Sequence, residues 1–244
     1  MKTWVSRVRA QLWRLTAGSQ LRRNVLETYA NRLLVVALAF ATAVVISRVL
    51  GPAGRGLYAV AMTVGAVGVQ FGNFGLHASN TYYVAKDRTL LPVLVGNMLA
   101  AVLAACFITA LAGMGFALWP ALAPVHHWLL VLALASIPVG LAYLLSQGLL
   151  LGVNEVRAYN TIEFAGRLLT LALMCVAALI HVASVELYLG IYLGSLLLSF
   201  LGSAASSAGF TRAPGAISSR LPAEHWHWHQ GLSDRVLRFS GAEN

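Results

Sequence analysis

Three charged residues stand inside long apolar runs: Arg48, Glu163 and Arg167. Glu163 and Arg167 are four residues apart, which puts them on one helix face about 6 Å apart along the axis. A lone charge buried in a membrane is costly, so the spacing predicts that they pair. The guanidinium fork makes bidentate, charge-assisted bonds to phosphate oxygens. The chemistry these residues could do is therefore recognition of an anionic, phosphate-bearing group, with Arg167 meeting it and Glu163 holding the arginine. The plainer role is a structural pair near the membrane surface. Arg48 and Arg55 flank a Gly-Pro turn and either meet the same anion or reach out to headgroups. Gln70, Asn73 and His77 recur on one helical face that points to a cavity or to another helix. Asn80, Tyr82, Tyr83, Lys86 and Asp87 close that helix, either as an entrance for a headgroup or as an interfacial belt.

Other chemistries lack their residues. There is no H-E-x-x-H, no phosphate-cradling P-loop and no G-x-S-x-G, so an enzyme is not expected. His225, His227 and His229 alternate with Trp226 and Trp228, a spacing that converges on a metal only in an extended strand. No metal or cofactor is expected. The two cysteines, Cys106 and Cys175, lie in apolar runs and read as small core residues.

The elements that must position these residues are membrane helices. Hydrophobic residues make up 59% of the 244 and charged residues 10%, against about 45–50% and about 25% in soluble domains. A helix needs about 20 residues to cross about 30 Å of hydrocarbon. Six candidates meet this, near residues 33–50, 57–78, 90–118, 128–153, 158–182 and 187–209. Pro120 and Pro124 break the long uncharged stretch into a hairpin. The chain divides into a basic amphipathic segment (1–28) lying on the membrane surface, a six-helix all-α bundle (29–209) and a tail (210–244) with one short helix near 233–239. The net charge of +9 is read as orientation and contact with anionic lipids, and nucleic acid is not an expected partner. Of the 17 Lys and Arg, 14 fall on one side of this layout, which puts both termini in the cytoplasm.

The segment from Ser47 to Asp87, "SRVLGPAGRGLYAVAMTVGAVGVQFGNFGLHASNTYYVAKD", carries a resemblance. Gly51-Pro52 ends one helix, Gly54-Arg55-Gly56 re-enters the next, and Gly68, Gly72 and Gly75 line a small-residue face. It resembles the polysaccharide-transporter branch of the multidrug/oligosaccharidyl-lipid/polysaccharide exporter superfamily. "QGLLLGVNEVRAYNTIEFAGRLL", from Gln147, is similar to the junction of its fourth and fifth helices. The resemblance implies the N-terminal lobe of a two-lobe flippase in the cell (inner) membrane. The implied substrate is a polyprenyl-diphosphate-linked oligosaccharide for polysaccharide biosynthesis. It also implies that basic residues of the first bundle face the lipid diphosphate. Since the chain supplies one bundle, it reads as a truncated product or half of a split transporter, completed by a second half or a second copy. The alternatives are a homodimeric six-helix exporter and a non-transporting assembly subunit of a polysaccharide complex.

Three G-x-x-x-G pairs, Gly68/Gly72, Gly148/Gly152 and Gly190/Gly194, are expected at helix contacts. For the topology, reporter fusions after Ala123 and after Ser184 are expected to score as external. A cytoplasmic score at either position contradicts the layout.

Overall fold

The computed structural model describes the backbone of residues 2–119 and 125–211, and the side chains of those between 29 and 207 except His127. The sequence expectations for the outer-turn residues 120–124, for the side chains of residues 1–28 and for the tail, including His225, His227 and His229, lie outside the described residues. The chain divides into two units, residues 1–207 and 208–244, and only the first is described further.

All described elements are helical: α1 (Lys2–Asn73), α2 (Leu76–Lys86), a 3-10 turn (Arg88–Leu90), α3 (Leu91–Leu118), α4 (His127–Gly152), α5 (Val156–Leu179) and α6 (Val185–Thr211). Five segments are long and apolar enough to cross a membrane: Tyr29–Asn73, Arg88–Leu118, Trp128–Gly152, Val156–Leu179 and Val185–Ser207. The chain is thus a multi-pass membrane protein with an all-α bundle. The basic leader is helical and joins the first of these segments without a break.

Gly51 interrupts α1 with φ 64° and ψ −175°, a conformation that glycine alone adopts without steric cost. Pro52 follows at once and opens the second arm, where its missing N–H costs nothing. Helix resumes there, so Gly54, Arg55 and Gly56 are helical and not the re-entry turn that the sequence suggested. A second break, at Phe74 (φ 39°) and Gly75 (φ 79°), separates α1 from α2, inside what the sequence presents as one helix. Asn73 bridges this break: its Oδ1 accepts from the His77 N–H at 3.0 Å.

Packing gives the arms of α1 their directions. Before Gly51, Arg32 meets Glu163 and Ile46 packs with Met174 and Ala177, so this arm runs alongside α5 in the same sense. After Gly51, Gly65 faces Ser136 and Gly72 faces Leu141, so this arm follows α4 in the same sense. A short turn at residues 153–155 reverses α4 into α5. The two arms of α1 therefore run in opposite senses.

Helix α4 is the central element, with Leu141, Leu145 and Leu150 fully buried. Glycines let its neighbours approach. A Cβ on Gly68 would strike the Ile137 side chain, one on Gly148 would come within 2.9 Å of the His77 carbonyl, and one on Gly152 within 3.0 Å of the Thr81 carbonyl. Two of the expected pairs thus sit at helix contacts. Gly190 and Gly194 do not: a Cβ on either would meet no described neighbour within 4 Å, so this face of α6 is open among the described residues. At the α3 start, the Asp87 carboxylate accepts from the Thr89 hydroxyl at 2.7 Å and its N–H at 2.9 Å. The hydroxyl bond first, then the backbone bond, hold this carboxyl below the usual carboxylate range. Arg88 Nη2 donates to the Val153 carbonyl at 2.9 Å, joining two turns on the same side of the bundle.

Forcing a methyl into a tight helix contact costs about 1–3 kcal/mol. Gly148→Ala is expected to lower the thermal midpoint of the detergent-solubilised protein, while Gly190→Ala leaves it within error. Equal midpoints for the two variants contradict the packing.

Candidate functional site

Between the second arm of α1 and helices α4, α5 and α6 lies a cavity of about 260 Å³. Its walls are polar for a membrane bundle: Gln70, Ser136, Tyr143, Glu163, Arg167, Thr170, Tyr192, Ser195 and Ser199. Three glycines outside the expected pairs make room for these groups. A Cβ on Gly65 would collide with the Ser136 hydroxyl and one on Gly166 with the Ser199 hydroxyl, while one on Gly140 would come within 2.7 Å of Val69. Pro138, also on α4, removes one backbone hydrogen bond at this level.

Three wall hydroxyls are satisfied by their own helices, as apolar surroundings require. Ser136 Oγ donates to the Ala133 carbonyl at 2.6 Å, Thr170 Oγ1 to Gly166 at 2.8 Å and Ser199 Oγ to Ser195 at 2.8 Å. Ser195 is different: its Oγ is buried and has no hydrogen-bond partner. The amide of Gln147, one turn beyond Tyr143 on α4, is likewise buried; the Tyr143 hydroxyl stands beside it, outside good hydrogen-bond geometry. Buried polar groups without partners are rare and each calls for an explanation.

The charges are arranged otherwise than the i,i+4 spacing predicted. Glu163 pairs with Arg32, at 3.6 Å, across to the first arm of α1. A partner on a neighbouring helix is invisible to spacing along one helix. The Glu163 side chain is 16% exposed and that of Arg32 68%, so the pair joins a residue of the cavity wall to one outside it. Arg167, released from the expected pair, has no acidic partner within 4 Å and no hydrogen bond among the described residues. It stands close enough to Tyr58, Tyr143 and Tyr192 for its charge to act on each hydroxyl.

The other sequence candidates scatter. Gln70 lines the cavity. Asn73 and His77 do not: the break at Phe74–Gly75 turns them to structural work, and His77 Nδ1 donates to the Leu144 carbonyl at 2.9 Å. Arg48 and Arg55 are exposed and outside the cavity wall. Asn80 is buried, while Tyr82, Tyr83, Lys86 and Asp87 are exposed at the end of α2. Tyr82 and Tyr83 stack edge to face at 5.3 Å, and Asp87 is committed to Thr89. Among the described residues no three His, Cys, Asp or Glu side chains converge on a metal-sized site. The sequence reading missed Arg32 as the partner of Glu163, and it missed Tyr143, Tyr192 and Ser195.

The Arg32–Glu163 bond is open to a double-mutant cycle. With Arg32→Gln, Glu163→Gln and the double variant, a coupling of about 0.5–2 kcal/mol is expected from reversible unfolding in mixed micelles. Strict additivity means that the two charges are neighbours without a bond between them.

Compared with protein-family models, with curated proteins and with solved structures, the chain matches none.

Proposed function

We propose that the chain is a membrane translocator whose bundle cavity receives the anionic head of a lipid-linked substrate at Arg167. The carrying observation is Arg167 itself, a guanidinium without a carboxylate partner among the described residues, in a polar cavity of an otherwise apolar bundle. An ionised group at membrane depth faces an interior or a water-filled path, and it needs an anion or water to offset its desolvation. Glu163 of the cavity wall is engaged by Arg32 from outside it, which leaves Arg167 as the charge in the wall with no opposite charge bound to it among the described residues. Tyr143, Tyr192, Ser195 and Gln70 add donors of the kind that fix phosphate or sugar oxygens.

The sequence resemblance narrows the substrate class to polyprenyl-diphosphate-linked oligosaccharides. In this reading the bundle is one lobe of a flippase in the cell membrane, and the distribution of basic residues puts both termini inside. In this reading Tyr29–Asn73 crosses twice. Its 45 residues would measure about 68 Å as one helix, about twice the hydrocarbon thickness. The opposite senses of its arms support a reversal at Gly51, which makes six crossings. Arg48, exposed and outside the cavity, drops out as a contact for the anion. The open glycine face of α6 favours a second bundle docking there, either another lobe or another copy.

The test uses the full chain in nanodiscs, titrated with a polyprenyl diphosphate. Losing a charge-assisted bond costs about 1.5–3 kcal/mol, so Arg167→Gln is expected to weaken binding roughly ten- to a hundredfold, and Arg48→Gln less than threefold. Equal binding by parent and Arg167→Gln sinks the proposal.

A further inference from the structure

We propose that Arg32 is a positioning residue for the cavity: it holds the Glu163 carboxylate off Arg167, and in its absence Glu163 closes onto Arg167 and occupies the place of the anion. This rests on Arg167 being the contact for the anion. It adds a residue outside the cavity wall that decides whether that contact is free.

Glu163 and Arg167 both stand in the cavity wall. Four residues apart on α5, they have Cβ atoms about 5–6 Å from one another, with the acid on the N-terminal side, the order that favours pairing along a helix. Both charges act on the Tyr143 hydroxyl, which reaches the cavity from α4. The two side chains therefore serve the same region of the cavity. Opposite charges so placed in an apolar bundle gain by joining, since each offsets the desolvation of the other. Here they are not joined. The carboxylate turns instead to Arg32 on the first arm of α1, at 3.6 Å.

That choice of partner is loosely held. Charge-assisted bonds of this kind normally close to about 2.7–2.9 Å, and the Arg32 side chain is mostly exposed where that of Glu163 is mostly buried. The Tyr159 hydroxyl, one turn before Glu163 on α5, stands beside both and steadies the pair. Glu163 thus has two guanidinium groups in reach, one from outside the wall and one within it. Carboxylate and phosphate oxygens take the guanidinium fork in the same way, so Glu163 on Arg167 and a bound anion exclude each other. The anion site is open while Arg32 prevails. A brace between the first arm and α5, or a positive charge acting at a distance, would make no such link between Arg32 and the Glu163 carboxylate.

The test titrates the full chain, in phosphatidylcholine nanodiscs, with farnesyl diphosphate. Parent, Arg32→Gln, Glu163→Gln and the double variant are compared. Arg32→Gln is expected to weaken binding about threefold or more, because Glu163 then closes onto Arg167. Glu163→Gln removes the competitor and is expected to tighten binding. The double variant is expected to bind like Glu163→Gln, since no carboxylate is left for Arg32 to restrain. If Arg32→Gln does not insert, Arg32→Lys makes the same comparison: it keeps the charge, loses the fork and is expected to weaken binding about twofold with Glu163 present and not without it. A parent chain that binds no farnesyl diphosphate overturns the anion contact at Arg167, and this inference with it. Binding that the Arg32 substitution leaves unchanged, or weakens equally with and without the Glu163 carboxylate, overturns the positioning role alone and leaves the anion contact standing.

Discussion

The bundle depends on backbone-to-backbone approach along α4. Lipid tails are as apolar as leucine, so helices in a membrane gain little from hiding apolar side chains and associate through close packing and interhelical bonds. Here Gly68 and Gly72 admit Ile137 and Leu141 from α4, and Gly148 and Gly152 on α4 admit the backbone at His77 and Thr81. Thr81 Oγ1 then donates to the Gly148 carbonyl at 3.0 Å, a bond that only such proximity permits. With α4 fixed against both the second arm and α2, its Tyr143 and Ser136 are held in the wall of the cavity.

The same close approach decides which polar groups are committed and which are left over. Most hydroxyls in the bundle return to a carbonyl three or four residues back, as with Thr42, Thr63, Thr109 and Ser146. That local bond lets a polar residue stand in an apolar helix at little cost. Gln147 and Ser195 have no such bond, and Arg167 cannot make one. The leftover donors are concentrated in and beside one cavity, and this concentration, more than any single residue, argues for a polar ligand.

Hydropathy made the helices legible, because about 20 apolar residues in a row admit few structures. Gly51-Pro52 was legible as a helix end, since glycine frees φ and proline stops a helix from continuing. The break at Phe74–Gly75 was not, because an isolated glycine in an apolar run is an ordinary membrane residue. Spacing paired Glu163 with Arg167 because it sees one helix at a time. The true partner, Arg32, stood just ahead of the first apolar run, where it counted only toward orientation. Arg48 shows the converse limit: its depth could be read from the sequence, but not the direction its helix face points. Gly65, Gly140 and Gly166 escaped notice because each acts alone against a side chain on another helix.

If Arg167 sets the sign of the cavity, the potential at its wall must favour anions. This is tested most directly by thiol labelling at Ser195→Cys, in a full chain whose Cys106 and Cys175 are replaced by alanine. The rates of a negatively and a positively charged methanethiosulfonate reagent, each normalised to a free thiol, give the sign of the local potential. The normalised rate of the negative reagent is expected to exceed that of the positive one by at least threefold, and Arg167→Gln to remove the excess. A ratio that is the same with arginine and with glutamine at that position would contradict it.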